Sequence, residues 1–228
     1  MSVLHTLRDR IQQKGLHRTL KKLWERYVFF HLELLWMERD LVSPIKPHTL
    51  KPYSPLSLVT ITAQNADAFA KHFGDRVETM RELAAEDHTG HMYLDDEGHA
   101  VAFIWGSKRD YFDRHYYRCR FPVKAGEFFE FGGEMARPYF GTSLSVDVQV
   151  NLWNAMQAQG CDKVVDVCET RNIPALKLHI RMGYHEQGRV THVYGLLGRW
   201  RLFRETRYDG SRLEPLRKPG QPVVTAPA

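Results

Sequence analysis

A chain of 228 residues, 43% hydrophobic and 26% charged, is too apolar for a disordered polymer and long enough for one domain with appendages. Three cysteines, Cys119, Cys161 and Cys168, fit neither a disulfide framework nor a paired zinc-ligand spacing, and no stretch approaches the roughly 20 apolar residues of a membrane span, so a reduced, cytoplasmic protein is expected. The net charge of +5 is carried at the ends: residues 1–52 hold ten Lys and Arg against five Asp and Glu, and Arg199 to Lys218 is basic again.

From Leu4 to about Asp40, Leu16, Leu20, Leu23, Tyr27 and Phe30 recur at intervals of three and four, with Lys21, Lys22 and Arg26 on the other side. Residues 1–42 therefore predict an amphipathic helix. Such a helix either packs on the core or lies on a protein partner or on the inner face of a membrane. Pro44, Pro47, Pro52 and Pro55 mark residues 43–56 as a linker. The compact domain is expected over 57–200, with a basic extension and tail over 201–228.

Within that domain Leu58–Thr62 alternates as a strand, and Ala66–Phe73 and Arg76–Glu86 read as short helices. His91–Leu94, Ala100–Gly106, Arg118–Val123 and Glu127–Met135 are strand candidates. Leu144, Val148, Leu152, Ala155 and Met156 then predict a helix closed by Gly160, and Lys163–Val167 ("KVVDV") is the apolar run of a strand covered on both faces. Asn172 caps a further helix that tolerates Pro174 in its first turn. Tyr184–Arg189 and His192–Leu197 complete the pattern as two strands, giving a mixed α/β order.

Two clusters carry little chemistry. His88 and His91 in "EDHTGH" would share a metal only on a helix, and Gly90 makes the stretch a turn, so no metal is expected. Lys108–Phe121 ("KRDYFDRHYYRCRF") interleaves arginine with aromatics as single-strand nucleic-acid sites do, but it reads better as a hairpin shaping a pocket, and nucleic acid is not the expected partner.

The segment "NIPALKLHIRMGY", Asn172 to Tyr184, resembles the N-x-x-A-x-x-x-Y-x-x-x-G-F segment of the GNAT superfamily of acyl-CoA-dependent N-acyltransferases. Glu127–Val167 is similar to its strand, loop, helix and strand layout. The resemblance is clearest over His91–Leu197, and it implies a mixed central sheet flanked by helices. In such a sheet the strand ending at Met135 splays from the strand Lys163–Val167, and acetyl-CoA or another acyl-CoA occupies the gap. Backbone N–H groups at a helix N-terminus can cradle a pyrophosphate without a metal. The loop would be Phe140–Ser145, with Phe140 where the family has Arg or Gln, and Ser143 and Ser145 where it commonly has glycine. By the resemblance Met135, Gly141, Thr142, Ser143, Leu144, Ser145, Asn172 and Ala175 meet the cofactor.

His179 stands where the family often has the tyrosine that protonates the departing thiolate, a task its ordinary pKa suits; a packing substitution is the other reading. Glu130 and Glu134 share a face by period two. Glu134, nearer the expected carbonyl, is the candidate base if buried, and a solvent-facing glutamate if not. The implied activity is direct transfer of an acetyl group to a primary amine of a small molecule or sugar. A non-catalytic scaffold of the same fold, a peripheral enzyme acting on a lipid-linked amine, and a homodimer remain open alternatives.

Overall fold

The computed structural model describes residue 24 and residues 27–45 and 50–216. Ten strands are β1 (Phe29–Asp40), β2 (Ser57–Thr60), β3 (Thr89–Leu94), β4 (Ala100–Ser107), β5 (Tyr111–Phe112), β6 (Arg120–Phe121), β7 (Glu127–Met135), β8 (Lys163–Glu169), β9 (His185–Leu196) and β10 (Trp200–Arg207). The helices are α1 (Ala70–Phe73), α2 (Val77–Ala85), α3 (Leu144–Ala158) and α4 (Ile173–Met182). Eight strands form one mixed sheet in the order β10-β9-β1-β8-β7-β4-β3-β2, and β5 and β6 form a separate hairpin. Among the described residues β7 and β8 are the parallel pair, joined by α3 as a crossover requires.

Both faces are covered at the centre of the sheet. Phe103 of β4 meets Phe69 and Phe73 edge to face, and Trp105 donates to the sulfur of Met80 on α2. On that face too, Phe129 and Phe131 of β7 stack against Tyr111 of the hairpin. Glu130, pointing the other way, meets Trp153 of α3 and Tyr184 beyond α4.

The N-terminal expectation is corrected. Trp24 and Tyr27 are helical, and the earlier part of the predicted helix lies outside the described residues, but from Phe29 the chain is a strand between β8 and β9. Leu34, Leu35, Trp36 and Met37 are all buried. A central strand covered on both faces is apolar at consecutive positions, and that run also satisfies a helical three-and-four count. At on the order of 2 kcal/mol per large buried side chain, these four make β1 integral to the core.

Other boundaries move for similar reasons. Residues 201–207, expected as a basic extension, belong to β10, whose charged side chains suit the outer strand of a sheet. The two strands expected over 184–197 are one, β9, with positive φ at Gly188 and an irregular register against β1. Gly90 is not in a turn but in β3, where a Cβ would strike the Trp105 ring at 2.5 Å.

Candidate functional site

β7 and β8 pair only from Glu127–Lys163 to Phe129–Val165. Beyond that point they part. A bulge drives the separation: Phe131 faces Trp105 and Glu134 faces Phe103, so Gly132 and Gly133 oppose the single residue Ile104. Gly132 takes φ +66°, a left-handed value that a side chain would strain. The opening is a cavity of about 320 Å³, walled by Phe131–Met135 on one side and Asp166–Glu169 on the other, with α3 and α4 closing it through Ser145, Gln149, Asn172, Ala175 and His179.

Three ionisable groups form its floor. Glu130, the next residue after the last β7–β8 pair, Asp166, its counterpart on β8, and His179 of α4 present ligand atoms that all lie within 4.8 Å of one another. Glu130 is 3% exposed and His179 6%. His179 Nδ1 lies 2.7 Å from the Ala175 carbonyl, which can only accept, and Nε2 lies 2.6 Å from Asp166 Oδ2. A ring that donates from both nitrogens is an imidazolium. Burial opposes that charge, but the Asp166 carboxylate outweighs it and holds the His179 pKa above its ordinary value.

Glu130 behaves in the opposite sense for a carboxylate. Burial, reinforced by the Asp166 charge, outweighs its hydrogen bonds from Trp153 Nε1 (2.7 Å) and the Tyr184 hydroxyl (3.3 Å) and pushes its pKa up to about 8. Near neutrality the floor is therefore a protonated Glu130 beside an Asp166–His179 ion pair. This is a neutral cluster holding exchangeable protons in a site shielded from water.

The bulge also corrects the reading of the two glutamates. One extra residue in β7 reverses the period-two alternation, so Glu134 shares the face of Phe131 and not that of Glu130. Its side chain is 41% exposed and pairs with Arg76 at 3.0 Å. The burial expected of a base with a raised pKa is found at Glu130 instead. Asp166 was missed; its one signal was a charge inside the otherwise apolar "KVVDV".

Of the remaining candidates, Glu134, Met135, Ser145, Asn172, Ala175 and His179 do line one cavity. Asn172 caps α4, its Oδ1 accepting from the Ala175 N–H. Gly141, Thr142, Ser143 and Leu144 lie away from the cavity wall at the N-terminus of α3. Leu144 is fully buried there, and Gly141 turns the chain at φ +81°. Thr142 bridges to Lys51, and the Ser143 N–H donates to the Lys51 carbonyl at 2.8 Å. The Ser145 hydroxyl donates to the Thr142 carbonyl. The expected linker thus lies across the loop and uses one of its donors. The Lys108–Phe121 hairpin forms as read, and its Tyr117 reaches the cavity, donating to Glu169 at 3.4 Å.

No family model matches the chain, and no curated protein matches it. Among solved structures, a Drosophila protein aligns at TM-score 0.51 and 11% identity, over 82% of this chain and 59% of its own. A GCN5-related N-acetyltransferase from Sphaerobacter thermophilus aligns at TM-score 0.47 and 16% identity, over 79% and 56%. An aminoglycoside N-acetyltransferase in complex with CoA aligns at 0.45 and 13%, over 56% of this chain and 90% of its own. This chain spans less than two thirds of the first two. The likeness is one of fold alone: a mixed sheet, flanked by helices, with a splayed parallel pair at its centre.

Proposed function

We propose that the protein is an acyl-CoA-dependent N-acyltransferase that passes an acyl group, acetyl in the first instance, directly to a primary amine in the gap between β7 and β8. The observation that carries this reading is the buried Glu130–Asp166–His179 floor at the point where the strands part. Amide-containing ligands fit such an opening because the β7 edge facing β8 is unpaired beyond Phe129. Met135, Ser145, Asn172 and Ala175 would hold the acyl end. The acyl-CoA supplies an activated thioester carbonyl.

The chain's own groups then divide the work. Glu134 and Glu169, carboxylates on the cavity wall, attract the cationic amine, which gives its proton to solvent at the exposed Glu134 side before it attacks. His179, kept charged by Asp166, is the acid for the departing thiolate once its Nε2–H turns from Asp166, and the protonated Glu130 restores that proton. Binding and chemistry are separable in test. Acetyl-CoA at a hundred times its dissociation constant should raise stability by about 2.7 kcal/mol, a shift of several degrees in melting temperature. Ser143→Glu, which sets a carboxylate against the phosphates, should remove that shift.

A second reading, a scaffold of this fold without catalysis, is favoured by the Lys51 carbonyl that already takes the Ser143 N–H. A folded wild-type protein that shows no shift with acetyl-CoA, CoA or a longer acyl-CoA would support the scaffold and remove the enzyme.

A further inference from the structure

We propose that His31, Glu33 and His192 form a binding site for one zinc ion, made of residues other than those of the acyl-transfer floor. His31 and Glu33 stand two apart on β1, so their side chains share a face, and the β1–β9 register sets His192 directly opposite Glu33. His31 Nε2 lies 3.0 Å from His192 Nδ1, and His192 Nδ1 lies 3.7 Å from Glu33 Oε1. The three donor atoms all fall within 4.8 Å of one another. Zinc bonds of about 2.0–2.2 Å in tetrahedral array separate ligand atoms by roughly 3.3–3.5 Å, so the observed spacing brackets the required one. Two imidazoles and a carboxylate are a ligand set that suits zinc, and they leave a fourth position for water.

Each ligand is also oriented from behind, as metal ligands are. His192 Nε2 contacts the Thr206 hydroxyl of β10 at 2.9 Å, which turns Nδ1 toward the cluster. The His31 ring stacks on Tyr194 with centroids 4.6 Å apart. Glu33 Oε2 accepts from Arg212 at 3.1 Å and leaves Oε1 toward the histidines. The buried Glu130–Asp166–His179 group has similar residue types but no such readiness. Both of its imidazole nitrogens are committed, and both Glu130 oxygens accept from Trp153 and Tyr184. A zinc ion at the first site would tie β1 to the β9–β10 hairpin, joining segments 161 residues apart in the chain.

The test is titration of the chelator-treated full chain with Zn2+, followed by calorimetry and by histidine ring NMR, and with Co2+, followed by visible absorption. One equivalent of Zn2+ is expected, perturbing the His31 and His192 rings, with four-coordinate Co2+ absorption. Saturating Zn2+ should raise the melting temperature by roughly five to ten degrees. His31→Ala and His192→Ala should weaken Zn2+ by more than about a hundredfold, beyond the roughly 10- to 100-fold that follows loss of an outer partner such as Thr206 in Thr206→Val. The NMR identifies the ligands in the unsubstituted protein, so a variant that fails to fold does not remove the test. Absence of stoichiometric binding, or perturbation of His179 in place of His31 and His192, would overturn the proposal.

Discussion

At the scale of single residues, the floor of the cavity turns on where protons sit. His179→Gln keeps a hydrogen-bonding side chain but no titrating group. It should lower the rate of acyl transfer by about a hundredfold or more, with acetyl-CoA affinity retained, as rate and binding measurements would show. Asp166→Asn removes the charge that outweighs burial, so the His179 pKa should fall, which NMR titration reads directly. Glu130 makes the sign of the stability effect explicit. Its native pKa lies above its unfolded value, so it favours the folded state fully below the ordinary carboxylate range, and that contribution is lost as pH rises through about 8. Glu130→Gln, always neutral, should flatten the decline in denaturation midpoint across that window; an unchanged pH profile would place the proton elsewhere. Of this cluster, His179 was legible in the sequence through its place in the Asn172–Tyr184 segment. Asp166 was not, because nothing in a strand's own pattern says that a helix thirteen residues later will set an imidazole against it.

At the scale of elements, two glycines hold the site's shape. Gly183 ends α4 at φ +86°, and a Cβ there would run into Arg39 Nη1. That guanidinium is buried, donates to the Met182 carbonyl at 2.6 Å and lies over the Trp153 ring. Gly183→Ala therefore meets both an unfavourable backbone conformation and a buried guanidinium that would have to shift from its hydrogen bond. A loss of about 2 kcal/mol or more in denaturant unfolding is expected. Gly132 sets the bulge that parts β7 from β8; Gly132→Val should relax or strain it and weaken acyl-CoA binding more than it lowers stability. The helix that Gly183 ends was readable from its Asn172 cap. The bulge was not, since two adjacent glycines in a strand also fit an uninterrupted one.

At the scale of the molecule, β1 joins β9 and β10, far from it in sequence, to build one side of the sheet. β1 pairs with both β8 and β9, and Glu38 of β1 shows how closely it is bound. His185 at 3.1 Å, with Gln187 and Lys163, outweighs burial and holds the Glu38 pKa down at about 2. That stabilisation is present above the ordinary carboxylate range and is lost as pH falls toward 2. Removing residues 1–40, which the linker pattern at 43–56 would make harmless, should instead prevent folding, seen as loss of the cooperative thermal transition. Removal of residues 1–23 spares β1 and serves as the comparison.

The local order of strands and helices from Ser57 to Leu196 was largely written in the sequence, because periodicity, caps and glycine stops act over a few residues. So was the capped helix that carries His179. What only the tertiary structure decided was which residues meet: β1 at the centre, Glu130 and not Glu134 inside, Lys51 on the α3 loop, and His31 and Glu33 against His192. Each of these depends on register and burial across strands distant in sequence, and side-chain spacing along one strand carries no information about the strand that will lie beside it.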